Sequence, residues 1–116
     1  MSVFNDHARL VERTCKLGED IKLTPHLAHL VHMALGIAGE AGELVDAIKK
    51  SAIYGKTLDE ENVVEELGDI EWYMEGLRKA LDITRESVLK YNIDKLNKRY
   101  IDKYSDIDAQ ARKDKE

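Results

Sequence analysis

Apolar residues recur at the spacing of a helix along most of this chain, and the longest run of them lies in its first half. These residues are Leu27, Leu30, Val31, Ala34, Leu35, Ala38, Ala41, Leu44, Val45 and Ile48. Residues three and four apart share one face of a helix, so this spacing predicts an amphipathic helix. Thr24 followed by Pro25 resembles an N-cap and a first helical residue. The pattern therefore predicts a helix from Thr24 to about Ser51.

Three further helices are predicted around this one. The first runs from about Val3 to Leu17, before Gly18. Another begins at the possible capping box Thr57-Leu-Asp-Glu60, and the last runs from about Thr84 to Tyr100. The apolar positions of the helix after the capping box are Val63, Leu67, Ile70, Met74, Leu77 and Leu81. With no strand-like alternation, the sequence predicts an all-α protein.

Length and composition suit one small helical domain. The 116 residues include 35% charged and 6% aromatic side chains with a single proline, a composition that favours helices over sheets. We expect one domain over residues 1–101 and a polar tail over 102–116, to which no element is assigned. Because so short a helical chain buries little surface alone, we expect it to gain stability by pairing with a copy of itself.

Charge and cysteine usage exclude several classes of function. The net charge is −5, and no basic run is present, so binding to a nucleic-acid backbone is not expected. No apolar stretch is long enough to span a bilayer, which predicts no membrane partner. Cys15 is the single cysteine, as is typical of a protein in a reducing cytoplasm.

Two pairs of acids are the strongest chemical signal. Glu40 and Glu43 stand three residues apart in one predicted helix, and Glu66 and Asp69 do so in the next. Acids at this spacing lie on one face of a helix, so two antiparallel helices can bring four carboxylates together. Oxygen ligands of this kind favour Mg²⁺, or Mn²⁺ as a substitute, over Zn²⁺.

The surroundings of these acids distinguish them from an ordinary solvated face, which is the alternative for acids on helices. No Lys or Arg stands three or four residues from any of the four, although surface helices commonly place ion pairs at that spacing. Both pairs also lie within the apolar stripes. Gly36, Gly39, Gly42 and Gly68 crowd them, which predicts close approach of a helix or a ligand. The chain has no Glu-x-x-His motif, so a di-iron bundle is not predicted.

The stretches around these acids resemble a known family. These are His32-Met-Ala-Leu-Gly-Ile-Ala-Gly-Glu-Ala-Gly-Glu-Leu-Val-Asp-Ala-Ile-Lys-Lys50, Asn62-Val-Val-Glu-Glu-Leu-Gly-Asp-Ile-Glu-Trp-Tyr73 and Asn92-Ile-Asp-Lys-Leu-Asn-Lys-Arg-Tyr100. In this order they resemble the MazG-like all-α nucleoside triphosphate pyrophosphohydrolases, whose signature is ExxE followed by ExxD. The resemblance covers roughly Leu27 to Tyr100. Ile101 departs from it, since many relatives have a proline there.

The resemblance implies an activity and roles for the four acids. It implies Mg²⁺-dependent hydrolysis of NTPs or dNTPs between the α and β phosphates. It also implies an all-α antiparallel helix bundle of four-helix-bundle character, completed as a homodimer or homotetramer. Glu40, Glu43, Glu66 and Asp69 would be the metal ligands, with Glu40 or Glu43 instead orienting or deprotonating the attacking water. The products would be a nucleoside monophosphate and pyrophosphate.

Candidate substrate-binding residues lie on three helices. Asn92, Lys95 and Arg99 share one stripe of the last helix and can hold phosphates, or they form a solvated basic face. Lys50 can contribute, or it complements the C-terminus of its helix. His32 and the Trp72–Tyr73 pair can contact the base; the alternatives are a surface histidine and a core tryptophan.

Two other functions compete with this hypothesis. Phosphoribosyl-ATP pyrophosphohydrolases have a similar fold and chemistry but a different substrate. A non-catalytic helical adaptor that dimerises and binds a protein is the alternative from another class. It predicts neither stabilisation by metal nor release of pyrophosphate, and it gives no reason to keep four acids together without cations.

Overall fold

The described part of the chain is helical throughout its regular structure. A computed structural model describes residues 2–101 and 103–112. The helices are α1 (Val3–Thr14), α2 (Pro25–Ala52), α3 (Glu60–Ala80), α4 (Arg85–Arg99) and α5 (Asp106–Ala111), with a short 3₁₀ turn at Gly18–Asp20. Within these residues no strand is present, so the predicted all-α class is confirmed.

Each helix begins at a residue whose side chain caps it. A serine, threonine or aspartate oxygen accepts a hydrogen bond from a backbone N–H of the first turn, which stabilises the helix start by about 1 kcal/mol. The caps are Ser2, Thr24, Asp59, Thr84 and Ser105. The starts predicted at Thr24 and Thr84 are confirmed. The capping box predicted at Thr57 is wrong, because Asp59 accepts from the Asn62 N–H at 3.1 Å and α3 begins at Glu60.

Helices α2 and α3 form an antiparallel hairpin that contains the core. Met33 meets Gly76 and Gly36 meets Tyr73, so residues later in α2 contact residues earlier in α3. Met33 and Ala47 of α2 are the buried apolar residues of the described chain. The facing side chains of α3, such as Ile70, are half-buried. The hairpin is thus one layer of two helices, solvated on its outer sides.

The junction of α3 and α4 holds a buried arginine. Arg78 is 6% exposed, and its guanidinium lies 3.4 Å from Glu75 and 3.7 Å from Glu71. Its Nε has no hydrogen-bond partner among the described residues. Beside it is a cavity of about 320 Å³ with an apolar lining. The lining residues are Ile37, Met74, Leu77, Arg78, Leu81, Ile83 and Val88.

The remaining helices cover little of this hairpin. Every residue of α1 is exposed, and α1 ends at Thr14, earlier than the predicted Leu17, because Cys15 is already extended. Large apolar side chains stay in solvent, Phe4 at 83% exposure among them. In the tail, to which the sequence assigns no element, α5 forms. None of the described helices combines the length and the apolar character needed to cross a membrane.

Candidate metal centre

The hairpin brings three of the four predicted acids together. Glu40 from α2 faces Glu66 and Asp69 from α3, and one carboxylate oxygen of each lies within 4.8 Å of the others. The antiparallel register produces this convergence, since one turn of α3 carries both of its acids to the same point on α2. Glu43 is exposed and lies one turn further along α2, outside this group of three.

The carboxyl group of Glu66 experiences the strongest electrostatic effect. Its pKa rises from the usual 4.5 to about 7, first because its protonated form hydrogen-bonds to Glu40 and then because it is partly buried. The negative charges of Glu40, Glu43 and Asp69 raise the pKa further. Glu43 is therefore close enough to act on the cluster electrostatically. Like charges at this separation need either a proton or a cation between them.

The donor atoms fit a hard divalent cation. The Oε2 atom of Glu66 is buried and lacks a hydrogen-bond partner within the described chain, and a buried carboxylate oxygen left without a partner is costly. A cation among Glu40, Glu66 and Asp69 would supply the missing partner. All the donors are carboxylate oxygens, which suit Mg²⁺ or Mn²⁺.

Two basic side chains of the hairpin, Lys50 and Arg78, form ion pairs with acids outside the group of four. Lys50 pairs with Asp46 at 3.2 Å on the last turns of α2, in keeping with its alternative role at the end of that helix. Arg78 pairs with Glu71 and Glu75. Of the ion pairs formed by the described residues, none includes any of the four acids. Among these ion pairs, no basic side chain therefore offsets the charge of the cluster.

Aromatic side chains line a cavity beside the acids. Glu40, Asp69, Trp72 and Tyr73 line a cavity of about 320 Å³. The Tyr73 ring lies edge-on to Trp72 at 5.0 Å and to His32 at 6.2 Å between centroids. Trp72 is 65% exposed, so the alternative that placed it in the core does not describe this chain. Trp72 thus lines the cavity directly, whereas His32 approaches it through Tyr73.

The candidate phosphate-binding residues lie on α4, at a second cavity. Lys95 is half-buried and lines a space of about 200 Å³, whereas Asn92 is exposed and Arg99 half-buried. The other residues of this lining, to which the sequence patterns assign no role, are Tyr91, Asp94 and Lys98. Their spacing of three, four and seven residues was the available signal. This cavity shares no residue with the one at the acids.

Two facing helices that present converging carboxylates define the chain as an all-α protein with a candidate divalent-metal centre. A family model described as the MazG nucleotide pyrophosphohydrolase domain matches residues 29–102, well over half of the chain. The chain belongs to this family, which confirms the resemblance seen in the sequence. Family membership supports nucleotide pyrophosphohydrolase activity at the level of the family.

One curated relative adds little about activity. The gene 37 protein of Mycobacterium phage L5 is 35% identical over 76 residues, which cover 60% of this chain. The match spans 65% of the relative's length, and the relative's name states no activity. No solved structure matches the chain.

Proposed function

We propose that this protein is an Mg²⁺-dependent nucleoside triphosphate pyrophosphohydrolase that converts NTPs or dNTPs to monophosphates and pyrophosphate. The observation that carries the proposal is the convergence of Glu40, Glu66 and Asp69 beside an aromatic-lined cavity. Acids without cationic partners suit metal ions that bridge phosphates, and flat rings suit a base. Its single cysteine, exposed at Cys15, fits action in a reducing cytoplasm.

The acids would have different roles in the reaction. Bound Mg²⁺ would offset charge on the phosphate oxygens and lower the pKa of the attacking water. Glu40, Glu66 and Asp69 would hold this ion, or Mn²⁺ in its place. Glu43 is exposed and one turn away, so its carboxylate can orient the water and accept its proton. The water attacks the α-phosphorus, and pyrophosphate leaves.

The base and the phosphates would occupy opposite ends of the site. The Trp72 and Tyr73 rings, with His32 behind them, offer stacking surfaces for the base. Lys95, Arg99 and Asn92 of α4 would hold the β and γ phosphates, and Lys50 remains a weaker candidate because Asp46 engages it. The α4 cavity shares no lining residue with the acid cavity. We therefore propose that the cations on α4 of one chain hold the phosphates of a nucleotide bound at the acids of another chain.

We further propose that the protein works as a homodimer or homotetramer. Its accessible surface is 9745 Å², whereas a compact monomer of 13.2 kDa has about 6,400 Å². The excess of about 3,300 Å² per chain is large enough to supply an obligate subunit interface, which buries about 2,000–5,000 Å² summed over both partners. A second copy is the natural partner for this surface, because it presents the same exposed apolar residues.

Pyrophosphate release from the eight common NTPs and dNTPs, with Mg²⁺ and with EDTA, tests the proposed reaction. We expect Mg²⁺-dependent formation of monophosphate, and in ¹⁸O-labelled water the label should enter the monophosphate. Glu43→Gln should lower kcat by at least about a hundredfold, the scale of a lost general base. Helical content should stay unchanged, as judged by circular dichroism.

The control is Glu65→Gln, which neutralises an exposed acid of the same region outside the cluster and should keep full activity. Full activity in Glu43→Gln would refute its assigned role. Turnover of phosphoribosyl-ATP in preference to plain NTPs would favour a phosphoribosyl-ATP pyrophosphohydrolase. Absence of turnover together with no stabilisation by Mg²⁺ would favour the adaptor.

A further inference from the structure

Tyr73 lies directly against the backbone of α2 at Gly36. A Cβ atom built at Gly36 would stand 2.2 Å from Cδ1 and Cε1 of the Tyr73 ring and 2.5 Å from its Cζ. Carbon atoms pack no closer than about 3.5 Å. Any side chain at Gly36 would therefore displace the ring. The missing side chain lets the ring cross the face of α2.

This close contact is specific among the glycines near the acids. At Gly39, Gly42 and Gly68, an added Cβ would meet no atom within 4 Å. Gly76 also has a close neighbour, but that neighbour is the Sδ atom of Met33 at 2.5 Å. Gly36 is thus the glycine of this group that is held against an aromatic ring.

The position of Tyr73 determines the shape of the cavity beside the acids. Its ring lines that cavity together with Trp72, Glu40 and Asp69. It also contacts Trp72 and His32 edge-on, so a shift of Tyr73 would move or free both neighbours. The distance from the carboxylates to the rings of Trp72 and Tyr73 therefore depends on how closely Tyr73 approaches α2.

We propose that Gly36 is a specificity-determining positioning residue, which seats Tyr73 against α2 and thereby sets the room for the base beside the acid cluster. The proposal rests on the proposed function, because it concerns the nucleotide whose phosphates lie at the acids. Gly36 touches no substrate itself. It acts through Tyr73, and a larger residue would push the ring into the space that the base uses.

The first test measures Trp72 fluorescence in Gly36→Ala, without nucleotide. Trp72 is the only tryptophan of the chain, so its emission reports on the cavity directly. We expect a shifted emission maximum in Gly36→Ala and the wild-type spectrum in Gly39→Ala, where the added methyl group meets nothing. An unchanged spectrum in Gly36→Ala would count against displacement of the ring.

The second test compares kcat and KM across the eight nucleotides. In Gly36→Ala we expect the preference between purine and pyrimidine triphosphates to change by about tenfold, the effect of a methyl-sized change in a pocket. The change should lie mainly in KM. Gly76→Ala perturbs the same helix pair at Met33 and should lower thermal stability without changing the preference. An equal change in both variants would reduce Gly36 to a general packing role.

A double-mutant cycle isolates the pair. Once Tyr73→Ala has removed the ring, adding Gly36→Ala should have no further effect on emission or preference, because contacting residues couple. Independent effects of the two changes would overturn the proposal. If Gly36→Ala does not fold, Tyr73→Ala carries the test, and a wild-type nucleotide preference in it would overturn the proposal.

The proposed pyrophosphohydrolase function can fail independently of the positioning role of Gly36. If the wild type releases no pyrophosphate, nucleotides with a methylene group between the α and β phosphates are titrated against Trp72 emission with Mg²⁺. Changed relative affinities in Gly36→Ala then support the positioning role without the reaction. Equal relative affinities, or no binding to the wild type, overturn it.

Discussion

At the scale of single residues, the acid cluster makes the metal-free protein sensitive to pH. Glu66 has a pKa of about 7, and its carboxyl group is near Glu40 in the hairpin but solvated in the unfolded chain. A carboxyl whose pKa is raised on folding stabilises the protein while it is protonated. The stabilisation is complete below the unfolded pKa of 4.5 and is lost as the pH rises through about 7.

Thermal unfolding in EDTA tests this effect of Glu66. The melting temperature of the wild type should fall between about pH 5 and pH 8, because the folded state binds the extra proton. Glu66→Gln should flatten this slope and raise the melting temperature at pH 8, since it removes the repelling charge. Mg²⁺ should stabilise the wild type at pH 8 by binding the folded state alone.

Glu65→Gln is the control for this experiment, because it removes the adjacent exposed acid and should retain the wild-type slope. A steep slope that persists in Glu66→Gln would assign the titration to another group. If Mg²⁺ stabilises the wild type and Glu66→Gln equally, the ion binds away from Glu66.

At the scale of the elements, helix starts and the α2–α3 pairing followed from local sequence. Thr24 and Thr84 cap their helices because each side chain reaches a free N–H of the first turn. The sequence favours Thr57 over Asp59 as the cap, because Glu60 stands three residues after Thr57, as in a capping box, whereas Asn62 stands three residues after Asp59. The course of the loop decides for Asp59. The pairing of the acids was predictable because ExxE and ExxD each fix one helix face.

Other features of the site were not predictable from local pattern. Tyr73 and Gly36 are 37 positions apart in sequence, and their contact depends on the exact approach of the two helices. Arg78 was missed because buried arginines are uncommon. The acids Glu71 and Glu75, seven and three residues before it, were the signal that it would fold back along α3.

The turn between α3 and α4 gives a prediction at the scale of elements. The N–H groups of Asp82 and Ile83 donate to the carbonyls of Lys79 and Arg78, and Asp82 has a φ of 55°. This left-handed conformation favours glycine after a helix. Asp82→Gly should therefore be more stable than Asp82→Ala by about 1 kcal/mol, as measured by urea unfolding. Equal stabilities would show that the turn relaxes.

At the scale of the whole molecule, the isolated chain is more open than its length requires. The radius of gyration is 20.3 Å, whereas a compact chain of 116 residues has one of about 13 Å. The apolar cavity of the α3–α4 junction, with Val88 at its edge, is part of the exposed surface. This openness supports the proposed assembly.

Sedimentation at increasing protein concentration tests the proposed assembly. We expect a dimer or tetramer in the micromolar range and a melting temperature that rises with concentration. Val88→Asp should shift the protein toward monomer, because it places a charge on the apolar junction. Lys90→Asp changes charge on the same helix without loss of apolar surface and is the matched control. A wild type that stays monomeric at all concentrations would refute the assembly.

The α2–α3 hairpin also determines the order of folding. Its two helices are joined by the short connection over residues 53–59, so their contacts can form beside that connection first and then extend away from it. Helical structures of low contact order fold in microseconds to milliseconds. The hairpin can therefore form as the chain leaves the ribosome, before a second copy is met. Because Glu40, Glu66 and Asp69 all lie within it, the proposed ion would bind to the nascent chain before the proposed assembly forms.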